Sequence, residues 1–475
     1  MLNKKCDMFE RFFCFHDSLL KNLSKRIQVR LENDSIHLDE SKKSAYMLGV
    51  NSALLIIGFV LHVAEHSIKD RVEKLFFFTR EGEFYIQVWK KLFPDNEFYG
   101  RPLPKVDVLE VSRQATFCAS LQDVSVTEFM RIWNLYSIQS MYALFKTIGL
   151  DPGKYAYLCN RYGIVLCDEI VSPWQDKRIQ KLFQDPDFVN IIKVKSNSDK
   201  SNILGYLMQH GCTHDLQRIG IVDIGWRGTI QDNIAYLLPK VKIFGYYMGL
   251  QTFLNQQPKN CIKSAFGPNA NKSMDHLDLL DAVSVLEMLC NSPFGSVAGY
   301  IPNKDGLLIS NRIISNDENV VFYEFVKYFQ DGVLFSSILW SEYINAHVIS
   351  SSELTEAAYA IWRTIVHSRN KSLSNAYCSL NHNEVFGLGR FVRKNTVPNI
   401  RDIVGAVFKK DLRPKIIMFL RQNQWVGSFS ERSDLRFFHK LILIWMLKTA
   451  LRYKHGRNYI KYKMKILRRA KNFSS

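Results

Sequence analysis

The thirteen residues from Ile219 to Gln231 read IGIVDIGWRGTIQ. A short apolar run delivers Asp223 to its carboxyl end, and Gly225, Trp226, Arg227, Gly228 and Thr229 follow. A helical segment then runs from Ile230 to Leu238. Backbone N–H groups at a helix N-terminus attract anions, and glycines let the main chain come close to them. An aspartate at that place can hold sugar hydroxyls or a metal ion. A second run, LFFFTREGEF from Leu75 to Phe84, has the same build, with Arg80, Glu81 and Gly82 in its loop. Two such loops in one chain point to a phosphorylated substrate.

Three further groups could do chemistry. Ser112 and Arg113 end another apolar run, Val106–Val111. Glu287 lies beside the stripe Leu279, Val283, Leu286 and Cys290, where a half-buried carboxylate acquires a raised pKa and can act as a base; the alternative is a solvated helix-edge glutamate. His62-Val63-Ala64-Glu65-His66 matches the inverted zinc-protease helix, with two imidazoles four residues apart on one face. No spacing identifies a third ligand, and the pair ends a very apolar helix, so a packing role is expected.

These residues need elements to position them. Strands are expected at Leu75–Thr79, Val106–Val111, Ile219–Asp223 and Val241–Leu250, with helices at Phe84–Leu92 and Ile230–Leu238. Near-continuous apolar strands separated by helices indicate a parallel sheet covered on both faces. Its ligands lie at the carboxyl ends of the strands, where Arg80, Arg113 and Asp223 fall. The expected organisation is a helical segment over 1–70, an α/β core over 71–310 with a helical insertion at about 124–216, and a helical region over 311–475 with a basic tail. A polar, mobile stretch is expected at Lys195–Asn202, and 256–310 is expected to be irregular apart from one helix near Asp275–Cys290.

Composition sets the outer limits. The 475 residues exceed one ordinary domain, and 47% hydrophobic content supports real cores. A formal charge of +18 favours anionic partners. Nine scattered cysteines without a CxxC pair argue against a zinc ribbon or disulfide framework and for a reducing, cytoplasmic setting. No signal peptide is expected, and Tyr46–Ala64, broken by Asn51, Ser52 and His62, is expected to be a buried core helix rather than a membrane span. The tail combines the apolar patch Leu441–Met446 with basic residues from Arg452 to Lys471. That composition suits an anionic membrane surface, placing the chain peripherally at the inner face of the cytoplasmic membrane. RNA is the competing partner for the tail, but nucleic acid is not expected for the chain.

The Asp223–Thr229 loop, Asp-x-Gly-x-x-Gly-Thr, resembles three known phosphate loops. One is the first phosphate loop of actin-like sugar kinases, which sits in a β-hairpin, whereas a helix follows here. Another is the nucleophile loop of haloacid-dehalogenase-type phosphatases, whose second aspartate is replaced here by Gly225. The third is the ribose-phosphate loop of type I phosphoribosyltransferases, which fits the chain order best.

As a whole the sequence resembles the phosphoribosyl-diphosphate-dependent phosphoribosyltransferases of bacterial O-antigen and capsule clusters. The resemblance rests on FTREG (78–82), VSR (111–113), VDIGWRGTIQ (222–231), LEM (286–288) and PFGS (293–296), in that order. It implies a mostly parallel α/β sheet like the type I phosphoribosyltransferase core, with helical additions at both ends. It implies transfer of ribose 5-phosphate to a hydroxyl of a lipid-linked glycan, with Mg²⁺ or Mn²⁺ bridging diphosphate and ribose. Gly225, Trp226, Arg227, Gly228, Thr229 and Gln231 would then contact the 5-phosphate side of the donor. Arg80 and Arg113 would stabilise the departing diphosphate, with Glu81, Gly82 and Ser112 as further substrate-binding residues. Asp223 or Glu287 would take the acceptor proton. Ordinary nucleotide phosphoribosyltransferases carry an acidic pair in the ribose loop, where only Asp223 is acidic here. No phosphatase motif is present, so a separate haloacid-dehalogenase-type phosphatase is the expected partner. A nucleotide-sugar glycosyltransferase and a non-catalytic membrane-associated scaffold are the competing functions.

Overall fold

A computed structural model describes residues 38–473, apart from 214, 384–390, 394–396, 410–411, 423–424 and 433–434; Lys25, Arg26 and Val29 are also described. The chain is built on five parallel strands: β1 (Lys74–Phe78), β2 (Lys105–Leu109), β3 (Arg218–Trp226), β4 (Lys242–Leu250) and β5 (Cys261–Ala265). Their spatial order is β2-β1-β3-β4-β5. The order reverses between β1 and β3, and a doubly wound sheet of this order opens a crevice beyond the strand ends at that point.

Period-two alternation divides each strand between two cores. Leu75 and Phe77 of β1, with Val222 and Ile224 of β3, face one core; Phe76, Phe78, Ile219 and Ile221 face the other. The first core is closed by α1 (Glu40–Lys69), α2 (Glu81–Leu92), α6 (Val283–Cys290), α7 (Lys327–His347) and α8 (Ser351–Val366). The second is closed by α3 (Arg113–Phe117), α4 (Pro186–Gln209) and α5 (Thr229–Leu237).

Helix α1 starts at Asp39, whose carboxylate accepts from the Lys42 N–H at 2.9 Å. It is long and apolar enough to cross a membrane, yet 83% of its most apolar window is buried inside the protein against α7 and α8. Helices from before and after the strands of the sheet thus share one layer over it.

The structure corrects two local readings. The polar stretch Lys195–Asn202 is regular helix within α4. Asp185 caps that helix, Lys195 pairs with Asp199 at 2.5 Å, and Ser196 donates to the Cys118 carbonyl at 2.8 Å. A polar sequence carries no apolar period, but i,i+4 pairing and docking hold it in place. Within 256–310, the edge strand β5 and the antiparallel hairpin β6 (Ser296–Pro302) and β7 (Leu308–Ile313) stand where irregular chain is expected. All three are short and half exposed, so their apolar signal is weak. The helix expected at Asp275–Cys290 begins with a 3₁₀ turn at Leu277–Ala282 and becomes α6 only at Val283.

The insertion has its own core, including Phe129, Trp133, Phe145, Phe183 and Phe188. A separate C-terminal cluster joins Ile403, Ile416, Phe419 and Phe429 to Leu443 and Leu447 of the last helix, α9 (Phe437–Phe473).

Candidate active site

The crevice between β1 and β3 collects most of the residues singled out in the sequence. Arg80 joins β1 to α2 with φ +74°, a conformation that non-glycine residues adopt only where surrounding structure enforces it. Its Nε donates to Asn291 Oδ1 at 2.9 Å, and its Nη2 lies 3.5 Å from Glu318. Burial works against its charge, but Glu81, Glu318, Glu287 and Asp223 outweigh it and raise its pKa.

Glu81, Asp223 and Glu287 therefore share one electrostatic neighbourhood. Burial pushes Glu81 up to about 8; Arg80 opposes this, while Glu287 and Asp223 add to it. Burial pushes Asp223 up to about 7; the Ile224 N–H opposes, Glu287 adds, and Arg113 and Arg80 oppose. Glu287 on α6 is half-buried, as expected, and accepts from the Trp226 indole N–H at 2.8 Å. Trp226 thus positions a carboxylate across the crevice. Raised to about 8 and about 7, Glu81 and Asp223 suit general acid–base work near neutral pH.

On the α5 side the crevice is cationic. Arg113 Nη1 donates to the Tyr136 hydroxyl of the insertion at 2.8 Å. Arg227 donates to the Thr252 carbonyl. Burial lowers the Arg227 pKa, and the Arg113 guanidinium nearby lowers it further. Two guanidinium groups held together beside the N-terminus of α5 form a place for an anion. A cleft lined by Arg113, Arg131, Tyr136, Thr229 and Asn255 opens there.

Gly228 caps α5 with φ +64°. A Cβ at this position would stand 2.6 Å from the Tyr247 hydroxyl and 2.8 Å from Lys263 Cε, so any other residue would strain the positive φ and displace one of those side chains. Gly225 is pressed against β4, where a Cβ would meet the Gly249 carbonyl oxygen at 2.3 Å, and its peptide to Trp226 is cis.

Three expected ligand residues serve the scaffold instead. Gln231 is fully buried; its amide donates to the Ile243 and Ile262 carbonyls at 2.8 and 3.1 Å and accepts from the Tyr247 hydroxyl at 2.7 Å. Gly82 lets α2 lie against β1, since a Cβ there would stand 2.9 Å from the Phe77 carbonyl carbon. Ser112 caps α3, accepting from the Ala115 N–H at 3.0 Å and donating to the Val297 carbonyl at 2.5 Å. Gln231→Leu should cost about 2–4 kcal/mol in a denaturant melt, because it strands several buried polar groups at once.

Sequence reasoning missed two positioning residues. Lys263 on β5 donates to the Arg227 carbonyl at 3.1 Å and to Gln257 Oε1 at 2.6 Å, and pairs with buried Asp232 at 2.6 Å. No motif marks it, because the half-exposed strand carrying it leaves no apolar run. Asn291 holds Arg80 and stands in the turn Asn-Ser-Pro-Phe-Gly, whose composition was the available signal.

The histidine pair of α1 packs as expected. The rings of His62 and His66 lie 3.8 Å apart, and burial pushes His62 down to about 3. Glu65 accepts from the N–H and hydroxyl of Ser351, so it caps α8. Among the described residues no three His, Cys, Asp or Glu side chains assemble as a metal cage.

Compared with models of known protein families and with curated proteins, the chain matches none.

The shifted carboxyls predict a stability profile. A carboxyl whose folded pKa exceeds its unfolded value stabilises the fold most at low pH and loses that contribution as pH rises to the folded pKa. For Glu81 the window runs from its ordinary 4.5 to about 8. Glu81→Gln should therefore match wild type in melting temperature at acidic pH and exceed it above about pH 8. A variant that melts lower at alkaline pH would show that the Arg80 pairing dominates.

Proposed function

We propose that this protein transfers a phosphoribosyl group from phosphoribosyl diphosphate to a hydroxyl of a bacterial surface glycan. One observation carries the reading: two buried carboxyls whose pKa values are raised by burial, Glu81 and Asp223, share a sheet crevice with the half-buried Arg113 and Arg227, at a loop pressed against β4 at Gly225.

The roles follow from position. Arg227 and the Gly228–Thr229 turn at the head of α5 receive the 5-phosphate. Arg80 and Arg113 stabilise the departing diphosphate, where negative charge develops as the C1–oxygen bond breaks. The acceptor oxygen bonds to C1, and its proton passes to Asp223, whose pKa of about 7 suits a base at neutral pH. Glu287, fixed by Trp226, lies close enough to keep that pKa raised. The donors near Asp223 are oxygens, which would fit a magnesium ion bound chiefly through the donor's phosphates. Such an ion would neutralise charge on the leaving group, and the Glu287 carboxylate is the protein oxygen that would be available to it while Asp223 takes the proton. A separate phosphatase then removes the phosphate.

Calorimetric titration tests the donor assignment before any turnover. Phosphoribosyl diphosphate with Mg²⁺ should bind, and Arg227→Ala should weaken it about tenfold or more, as loss of a charge-assisted phosphate contact does. Tighter binding of nucleotide sugars than of phosphoribosyl diphosphate would sink the assignment.

A further inference from the structure

Helix α9 has two apolar faces, and only one is covered. Leu443 and Leu447 are 1% exposed and pack into the C-terminal core. About half a turn away around the helix stand Phe437, Phe438, Leu441 and Trp445, with exposures of 68%, 73%, 48% and 68%. Their spacing places them on one stripe, which continues through Lys448 and Arg452. The 37-residue helix contains no acidic residue, and its later turns are dense in Lys and Arg. On the flank of the stripe, His455 pairs with Asp281 at 2.8 Å and Lys454 does so at 3.3 Å, just before α6. The stripe is thereby held in a defined orientation to the element that carries Glu287.

We propose that this stripe seats the protein on an anionic lipid bilayer. Bulky apolar side chains followed by basic ones are what a helix lying in a membrane interface presents. Phe and Trp enter the headgroup–acyl boundary, and Lys and Arg meet anionic headgroups. The charge alone would also suit RNA. Four large apolar side chains left in water on the same stripe favour lipid. The inference stands apart from the proposed transferase chemistry, since it uses no residue of the crevice.

Flotation of the full chain with vesicles tests it. Phosphatidylcholine vesicles containing a quarter phosphatidylglycerol should carry the protein about tenfold better than phosphatidylcholine alone, and the binding should fall with added salt. Phe438→Ser with Trp445→Ser should reduce flotation about tenfold, and Lys448→Gln with Arg452→Gln should reduce it on anionic vesicles only. The exposure of all four positions lets the variants fold, which an unchanged thermal melt would verify. Trp445 should also be quenched by brominated acyl chains. Equal flotation of the double serine variant, equal binding to neutral vesicles, or RNA binding without flotation would each overturn the proposal.

Discussion

Asp223→Asn is expected to lower transfer by about 10²- to 10⁴-fold, the usual contribution of a positioned base, while leaving the protein at least as stable as wild type at neutral pH. Both halves follow from the same burial. Asp223 is 9% exposed, and burial with Glu287 nearby raises its pKa to about 7. Its ionised form is therefore disfavoured in the folded state. Stability from this group is complete below its ordinary 3.8 and is lost as pH rises through about 7. Asparagine keeps the shape and removes that loss, so the variant's melting temperature should change less with pH between those limits. Activity runs the other way: the base must be deprotonated, so wild-type turnover should rise through about pH 7. A catalytic carboxylate and a structural one are thus distinguished in two assays. Retained turnover in Asp223→Asn would remove it from the mechanism, and a large fall in melting temperature at pH 8 would make it a core-holding residue instead.

Lys263→Met should cost about 3–5 kcal/mol of stability and also impair turnover, for separable reasons. Lys263 and Asp232 are 4% and 9% exposed and lie 2.6 Å apart. Removing the lysine leaves a buried carboxyl without its cation, which is where the stability cost arises. Replacing both partners with apolar residues, as in Lys263→Met with Asp232→Leu, should recover much of that loss. It should not recover activity, because the Lys263 ammonium also holds the Arg227 carbonyl at 3.1 Å and the Gln257 side chain at 2.6 Å. Without it the loop before α5 loses a tether, and Arg227 no longer presents its guanidinium beside Arg113. The expected signature in the double variant is a raised KM for the donor with a smaller change in kcat. Full recovery of both stability and KM would reduce Lys263 to a packing role.

The sequence carried the crevice more fully than the frame around it. Strands β1, β3 and β4 are buried on both faces, so their unbroken apolar runs stand out, and the charged residues at their ends are legible by contrast. Arg80 follows β1 and Asp223 lies on β3, so both are legible in this way; Arg113 follows the half-exposed β2, and Glu287 is marked instead by the apolar stripe of α6. β3 is longer than expected, continuing through Asp223 to Trp226, because Gly225 lets the chain stay pressed against β4. The half-exposed edge strand β5 left no apolar run to read, and Lys263 was lost with it. Gln231, Gly82 and Ser112 occupy motif positions, yet each makes contacts that only the packed structure reveals: a buried amide, a close helix approach and a cap. A residue next to a ligand loop and a residue that builds the loop look alike in one dimension.

The most direct test is a transfer reaction with the purified chain, Mg²⁺, phosphoribosyl diphosphate and a lipid-linked glycan acceptor, read by the mass of the product. The account predicts an acceptor heavier by one pentose phosphate, one diphosphate released for each transfer, and product formed at least about 10²-fold more slowly with Asp223→Asn. Transfer from nucleotide sugars alone, or a folded wild-type protein that leaves phosphoribosyl diphosphate untouched beside an intact acceptor, would contradict it.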